Sequence, residues 1–298
     1  MHINPLNVPR ENRTHGDPLF PLASYWHAAP AGETVVDCHW HEEAEFLVVL
    51  KGQTLFQIGT SSFPVRAGEA VFVHGGDIHA GHPLGDSECS IFAIVFDMRW
   101  LGSGLLDRLH HDYIAPLLED RRSLPQHYTP VSTVGAAVLQ ALAALREDAA
   151  STRPGFELAI KARLYLILAE IASSGHWSER HMVTDQEVHR LESLKRVLAY
   201  IETHYQSRIY LHELAQLAHM GEAQFCRFFK KLVHKSPIAY INSYRVKRAA
   251  VLLQQRDRKL LDIAMEVGFD NPSYFTKRFK EELRCTPAEF RKRLQLND

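Results

Sequence analysis

Two stretches in the last third of this 298-residue sequence repeat one another. "LAQLAHMGEAQFCRFFKKLVHKSPIAY" aligns with "IAMEVGFDNPSYFTKRFKEELRCTPAEF". Leu214-Ala215 matches Ile263-Ala264, and Phe225, Phe229, Lys230 and Pro237 match Phe275, Phe279, Lys280 and Pro287. The offset is 49 before the internal turn and 50 after it, so the second copy has one residue inserted in its turn. Two copies are too few for a solenoid and read instead as two small helical modules joined by the helix "NSYRVKRAAVLLQQ". Each copy has a short helix, a tight corner and a second helix. In the first, "LHELAQLA" passes through His219-Met220-Gly221 into "EAQFCRFFKKLV"; in the second, "LLDIAMEV" passes through "GFDN" into "PSYFTKRFKEEL". A helix-turn-helix needs such a corner to dock its second helix in the major groove.

Charge points the same way. Residues 1–185 carry 13 Lys and Arg against 22 Asp and Glu, while residues 186–298 carry 21 against 13. The net charge of −1 therefore hides an acidic front and a basic back, and only the back suits a polyanion. On the second helices, Phe225, Phe228 and Phe229, like Phe275 and Phe279, recur at three-to-four spacing and should face the core. Ala223, Gln224 and Arg227 then point outward, as do Ser273, Tyr274 and Lys277, on the helix half that reaches base edges. Lys230, Lys231, Arg278 and Lys280 lie further along and suit phosphates. Asn271-Pro272 is a good helix start, whereas Gly221 is a weaker cap that Glu222 partly offsets through the helix dipole.

Residues 190–298 resemble the DNA-binding domain of the AraC/XylS family of bacterial transcription regulators. The second copy carries that family's signature at Ala264, Gly268, Phe269, Tyr274, Phe275, Phe279, Lys280, Thr286, Pro287 and Arg291. The resemblance implies two helix-turn-helix units entering successive major-groove segments on one face of a double-stranded DNA operator. Three positions depart from the pattern: His234 and Arg284 stand where the family has glycine, and Gly221 where it has serine. A His or Arg in a left-handed helix-end conformation costs about 1 kcal/mol. A small loss of stability is expected there, not a loss of function.

The acidic front reads differently. "EFLVVL", "TLFQIG", "EAVFVH" and "SIFAIVF" are rich in β-branched and aromatic residues and are separated by turn residues, which predicts a β-barrel or sandwich over residues 20–100. Into it fall the motif His39-x-His41-x3-Glu45-x6-Gly52 and the later segment "GEAVFVHGGDIHAGHP" with His79. Among 18 histidines one HxH arises by chance, so the second segment carries the weight. Three imidazoles and a carboxylate on one face of a small barrel suit Zn, Ni, Fe or Mn. The two segments resemble the two motifs of the cupin barrel, the second only in part, since the family's proline falls at His74 and its final asparagine at Pro83. Many AraC-type regulators join such a barrel to their DNA-binding domain, where it senses a ligand, often a carbohydrate. Three uses of His39, His41, Glu45 and His79 stay open: a metal site, a metal-free pocket bonding sugar hydroxyls, or polar groups that only complete the core. Trp40 and His82 join the ligand-binding set, Trp40 as an aromatic wall. Alternation puts His74 on the face opposite His79. Cys38 reads as a buried, inert thiol.

Between the halves, "TVGAAVLQALAALRED" and "FELAIKARLYLILAEIASS" have helical spacing. The second carries Phe156, Ile160, Leu164, Ile167, Leu168 and Ile171 on one side and Leu158, Leu166 and Ala169 elsewhere, and this excess apolar surface predicts a homodimer interface. The expected chain is two-domain α+β. A cupin-like barrel with an N-terminal arm covers 1–105, packing helices 106–175, a linker 176–188, and an all-α domain with two helix-turn-helix motifs 189–298. Expected partners are operator DNA, a small-molecule effector such as a sugar, RNA polymerase if the protein activates, and a second copy. No run of eighteen apolar residues exists to span a membrane. The polar start "MHINPLNVPRENRTHGD" and four scattered cysteines suit a reducing cytoplasm. Enzymatic activity is not expected; the rival reading is a metal-dependent cupin enzyme or metal sensor fused to a DNA-binding domain.

Overall fold

The computed structural model describes residues 15–102, 107–175, 177–179, 185–255 and 258–295. These fall into two compact units, one before residue 180 and one from residue 185 onward. The expected N-terminal arm up to residue 14, the boundary at 105/106 and part of the linker lie outside the described residues.

The first unit is built on antiparallel strands: β1 (Leu22–Ala29), β2 (Val36–His39), β3 (Ala44–Lys51), β4 (Gln53–Ile58), β5 (Ser61–Arg66), β6 (Ala70–Val73), β7 (His79–Pro83) and β8 (Cys89–Phe96). Short strands β9 (Arg122–Ser123), β10 (His127–Tyr128) and β11 (Ser178–Glu179) follow. One sheet has the order β1-β8-β3-β6-β10, a second β2-β7-β4-β5, and β9 pairs with β11 alone. Among the described residues, the expected cupin-like fold is thus two antiparallel sheets whose hydrogen bonds do not close into one ring. The sheets meet through side chains: Leu47, Val49, Val71, Val73, Ile91 and Ala93 of one pack on Phe56, Ile58 and Val65 of the other.

The five-stranded sheet is covered on its other face as well. Phe46, Phe72, Phe92, Ile94 and Phe96 pack there with Val138, Leu142, Ile160, Leu164 and Ile167. These come from helices α2 (Thr133–Ala149) and α3 (Phe156–Ser173), which follow the short α1 (Ala115–Leu118). A sheet buried on both faces shows continuous apolar runs rather than alternation, and β6 accordingly is buried at every position.

The second unit is all helical: α4 (Asp185–His204), α5 (Leu211–Leu217), α6 (Glu222–Val233), α7 (Pro237–Leu252), α8 (Leu260–Glu266), α9 (Pro272–Leu283) and α10 (Pro287–Gln295). Its starts are capped by sequence. The Asn271 Oδ1 accepts from the Tyr274 N–H at 3.0 Å, and the Ser236 Oγ from the Ala239 N–H at 3.3 Å. Thr286 and Glu289 cap each other reciprocally, at 2.7 and 3.2 Å. Gly221 begins α6 with no side-chain cap. His234 and Arg284 end α6 and α9 in the left-handed region, at φ 57° and 56°. His219 adopts φ 54° in the first corner, where the second has Gly268 at 91°. Nothing in the residue type of His219 signals that conformation.

Candidate functional site

Four side chains meet where the two sheets converge. Glu45 is the second residue of β3, where it pairs with Val73 and Val95 in the five-stranded sheet. Across the gap, His39 ends β2 and His79 begins β7, directly paired in the second sheet. His41 sits in the loop between β2 and β3. That loop is held from the opposite side: the Gly76 N–H donates to the His41 carbonyl at 2.6 Å, and a Cβ on Gly75 would lie 2.2 Å from the Glu42 carbonyl oxygen. The paired glycines of the second motif therefore let two backbones touch beside the cluster.

All four groups are buried, with His79 fully so. One ligand atom from each lies within 4.8 Å of the others. The Glu45 Oε2 is 3.1 Å from the His79 Nε2 and 3.4 Å from the His41 Nε2. The outer nitrogen of each ring is already committed. The Nδ1 atoms of His39, His41 and His79 face the carbonyls of Asp37, Glu43 and Asp77 at 2.7, 3.0 and 2.9 Å. A carbonyl only accepts, so each Nδ1 carries a proton, and a ring in its neutral form has its lone pair on Nε2.

Burial holds the His39 imidazole well below its ordinary pKa, helped by His79 and His41. Burial alone would raise Glu45, but the imidazoles of His41 and His79 outweigh it and hold the carboxyl well below the usual range. An ionised carboxylate, and imidazoles that give up the Nε2 proton to an ion, are the forms in which such residues bind metal.

His82 and His74 fall elsewhere. His82 pairs with Leu55, one position out of phase with the Ile58–His79 and Phe56–Gly81 pairs. Phe56 and Ile58 face between the sheets, so His82 faces away from the cluster. Trp40 is half-buried between His39 and His41. His74 leaves the site altogether: its Nε2 meets the Leu117 carbonyl at 3.0 Å and its Nδ1 lies 3.6 Å from Asp120. The Cys38 thiol is buried and pushed up to about 12. A cavity of about 210 Å³ between β3 and α2 is lined by Val48, Leu50, Leu139 and Ala143, with Arg146.

In the second unit, Ala223, Gln224, Arg227, Lys230 and Lys231 are exposed on α6, and Ser273, Tyr274, Lys277 and Lys280 on α9. Arg278 is more engaged: it pairs with Glu281 at 2.7 Å and lies 5.8 Å over the Tyr274 ring. Residues of α7 that sequence reasoning passed over fix α9 in place. The Asn242 Nδ2 donates to the Tyr274 hydroxyl at 3.0 Å. Lys235 bridges Ser243 and Glu282 at 3.1 and 3.2 Å, and the Ser243 hydroxyl donates to the same carboxylate. Asn242 and Ser243 sit in a helix that reads as a plain connector, and only their burial marks them.

Residues 22–168 match the AraC-like ligand binding domain and residues 214–293 a helix-turn-helix domain. The HTH-type transcriptional regulator YdeC of Bacillus subtilis is 26% identical over 258 residues, 86% of either chain. YobQ of the same organism, also an HTH-type transcriptional regulator, is 30% identical over 190 residues, 62% of this chain and 76% of its own. Among solved structures, ToxT from Vibrio cholerae is matched over 91% of this chain and 97% of its own, at 12% identity and a TM-score of 0.45.

Proposed function

The chain belongs to the AraC/XylS family of transcription regulators, and on that premise we propose that its N-terminal unit holds a divalent transition-metal ion at His39, His41, Glu45 and His79. Its occupancy then sets how tightly the helix-turn-helix unit holds an operator. The DNA-binding helix-turn-helix domain and the ligand-binding domain are those of the family; the metal is the reading specific to this chain.

One observation carries it. Three lone-pair nitrogens and a carboxylate come together in a buried space, and the proton on each ring points outward to a backbone carbonyl. Backbone carbonyls that lock the outer nitrogen are the usual supports of metal-bound histidine. The ion supplies the positive charge that these converging lone pairs lack, and imidazole with carboxylate suits Zn, Ni, Fe or Mn. The same spacing disfavours a sugar: ligand atoms within 4.8 Å of one another surround an ion, not a pyranose ring. The cavity against α2 has a mostly apolar lining, which lacks the convergent polar groups a sugar requires.

On the DNA side, Ala223, Gln224 and Arg227 of α6 and Ser273 and Lys277 of α9 read base edges, while Lys230, Lys231 and Lys280 hold phosphates. Leu158, Ala162, Leu166 and Ala169 form an exposed stripe on α3, which joins two copies and so pairs two half-sites.

Elemental analysis of untagged protein, loaded with each ion in turn and desalted, tests the metal. We expect about one ion per chain for the wild type and near none for His41→Ala. A wild type that retains no ion refutes the reading.

A further inference from the structure

His15 lies against the same cluster although no cupin-like motif includes it. It is only 3% exposed. Its ring packs on His41, with centroids 5.2 Å apart and planes inclined at 59°. Its Nδ1 is 2.8 Å from the Tyr25 hydroxyl of β1, and the two rings meet edge to face. The turn that follows is built to hold it there. Gly16 adopts φ +81°, and a Cβ on it would fall 2.2 Å from the Phe20 carbonyl oxygen. The Asp17 carboxylate accepts from the N–H groups of Leu19 and Phe20 at 2.8 and 3.0 Å. A histidine placed by a specified turn, tied to a tyrosine and laid on a metal-ligand ring is a built feature.

Resting on the metal reading above, we infer that His15 is a positioning residue of that metal centre. It covers the outer side of His41, keeps that imidazole in its orientation and shuts water away from the ion. The ion then exchanges only when the turn at residues 15–20 moves His15 off His41. Two physical effects combine. A ligand ring held by packing loses little orientational freedom on binding, and a dry site strengthens every charge interaction within it.

The test is the rate at which a chromogenic chelator extracts Zn²⁺ from the full-length, metal-loaded chain. His15→Ala should release the ion about tenfold faster or more, the scale on which supporting residues act at metal centres, while stoichiometry at loading stays unchanged. His15→Phe, which keeps a ring over His41, should restore most of the slow release. Tyr25→Phe, which removes only the hydroxyl, should fall between wild type and His15→Ala, and it keeps the proposal open to refutation if His15→Ala misfolds. Release within twofold of wild type in His15→Ala, or in Tyr25→Phe where His15→Ala does not fold, overturns the inference and leaves the metal site standing. Where the wild type retains Ni²⁺, Fe²⁺ or Mn²⁺ instead of Zn²⁺, release of that ion is the readout, and a wild type that retains none of the four overturns both.

Discussion

At the scale of single residues, the protein pairs strict local chemistry with a few tolerated departures. Arg227 and Lys277 are exposed on the helix halves suited to base edges. Replacing either by alanine should weaken operator binding by about 1–3 kcal/mol and relax sequence preference. An equal loss on every duplex in a competition assay would show phosphate contacts instead. His234 and Arg284 occupy the left-handed conformation that the family gives to glycine. His234→Gly or Arg284→Gly should therefore stabilise the helical unit by about 1 kcal/mol, read as a higher urea midpoint at unchanged slope. These two positions were legible from the family pattern, whereas His219 at φ 54° was not, because no residue type announced it. The Thr286 N–H holds the Glu289 carboxyl below the usual carboxylate range. With the folded pKa below the unfolded one, its cap contributes above the unfolded pKa and is lost as pH falls through the folded value. Cys38, buried and pushed up to about 12, should resist iodoacetamide at pH 8 in the native protein and react once it is unfolded.

Among the elements, those with one dominant period were readable and those answering to two partners were not. β3, β4, β6 and β8 stand out as β-branched and aromatic runs. β1, β5 and β7 carry Ser, His, Gly or Pro, and only pairing with a neighbour reveals them as strands. The one-residue insertion in the second copy reappears as a longer corner, five residues between α8 and α9 against four between α5 and α6. The role of α7 was hidden, since its bonds to Tyr274 and Glu282 join positions some thirty to forty apart in sequence. Helix α3 buries Ile160, Leu164, Ile167 and Ile171 yet exposes Leu158 at 76% and Leu166 at 50%. Leu158→Glu with Leu166→Glu should shift sedimentation from dimer toward monomer while leaving the circular dichroism spectrum intact. A wild type already monomeric at tens of micromolar contradicts an interface there.

For the whole molecule, the charge asymmetry of the chain is enough to mark its DNA-binding half, and the HxH and second-motif spacing identifies the four groups that do converge. The spacing does not separate His82 from them, because strand parity decides that and the register is set by pairing with β4. Nor does it bring in His15, which reaches the cluster only through the fold. A regulator needs its ligand to bind two states unequally, and if the proposed ion is that ligand, then by linkage DNA alters metal affinity as metal alters DNA affinity. The most direct test is the operator dissociation constant of one preparation, metal-loaded and metal-free, by fluorescence anisotropy on a duplex selected from a random pool. The account predicts a change of about fivefold or more in wild type, the lower end of usual coupling, and none in His41→Ala. Equal affinities for loaded and metal-free wild-type protein would contradict it.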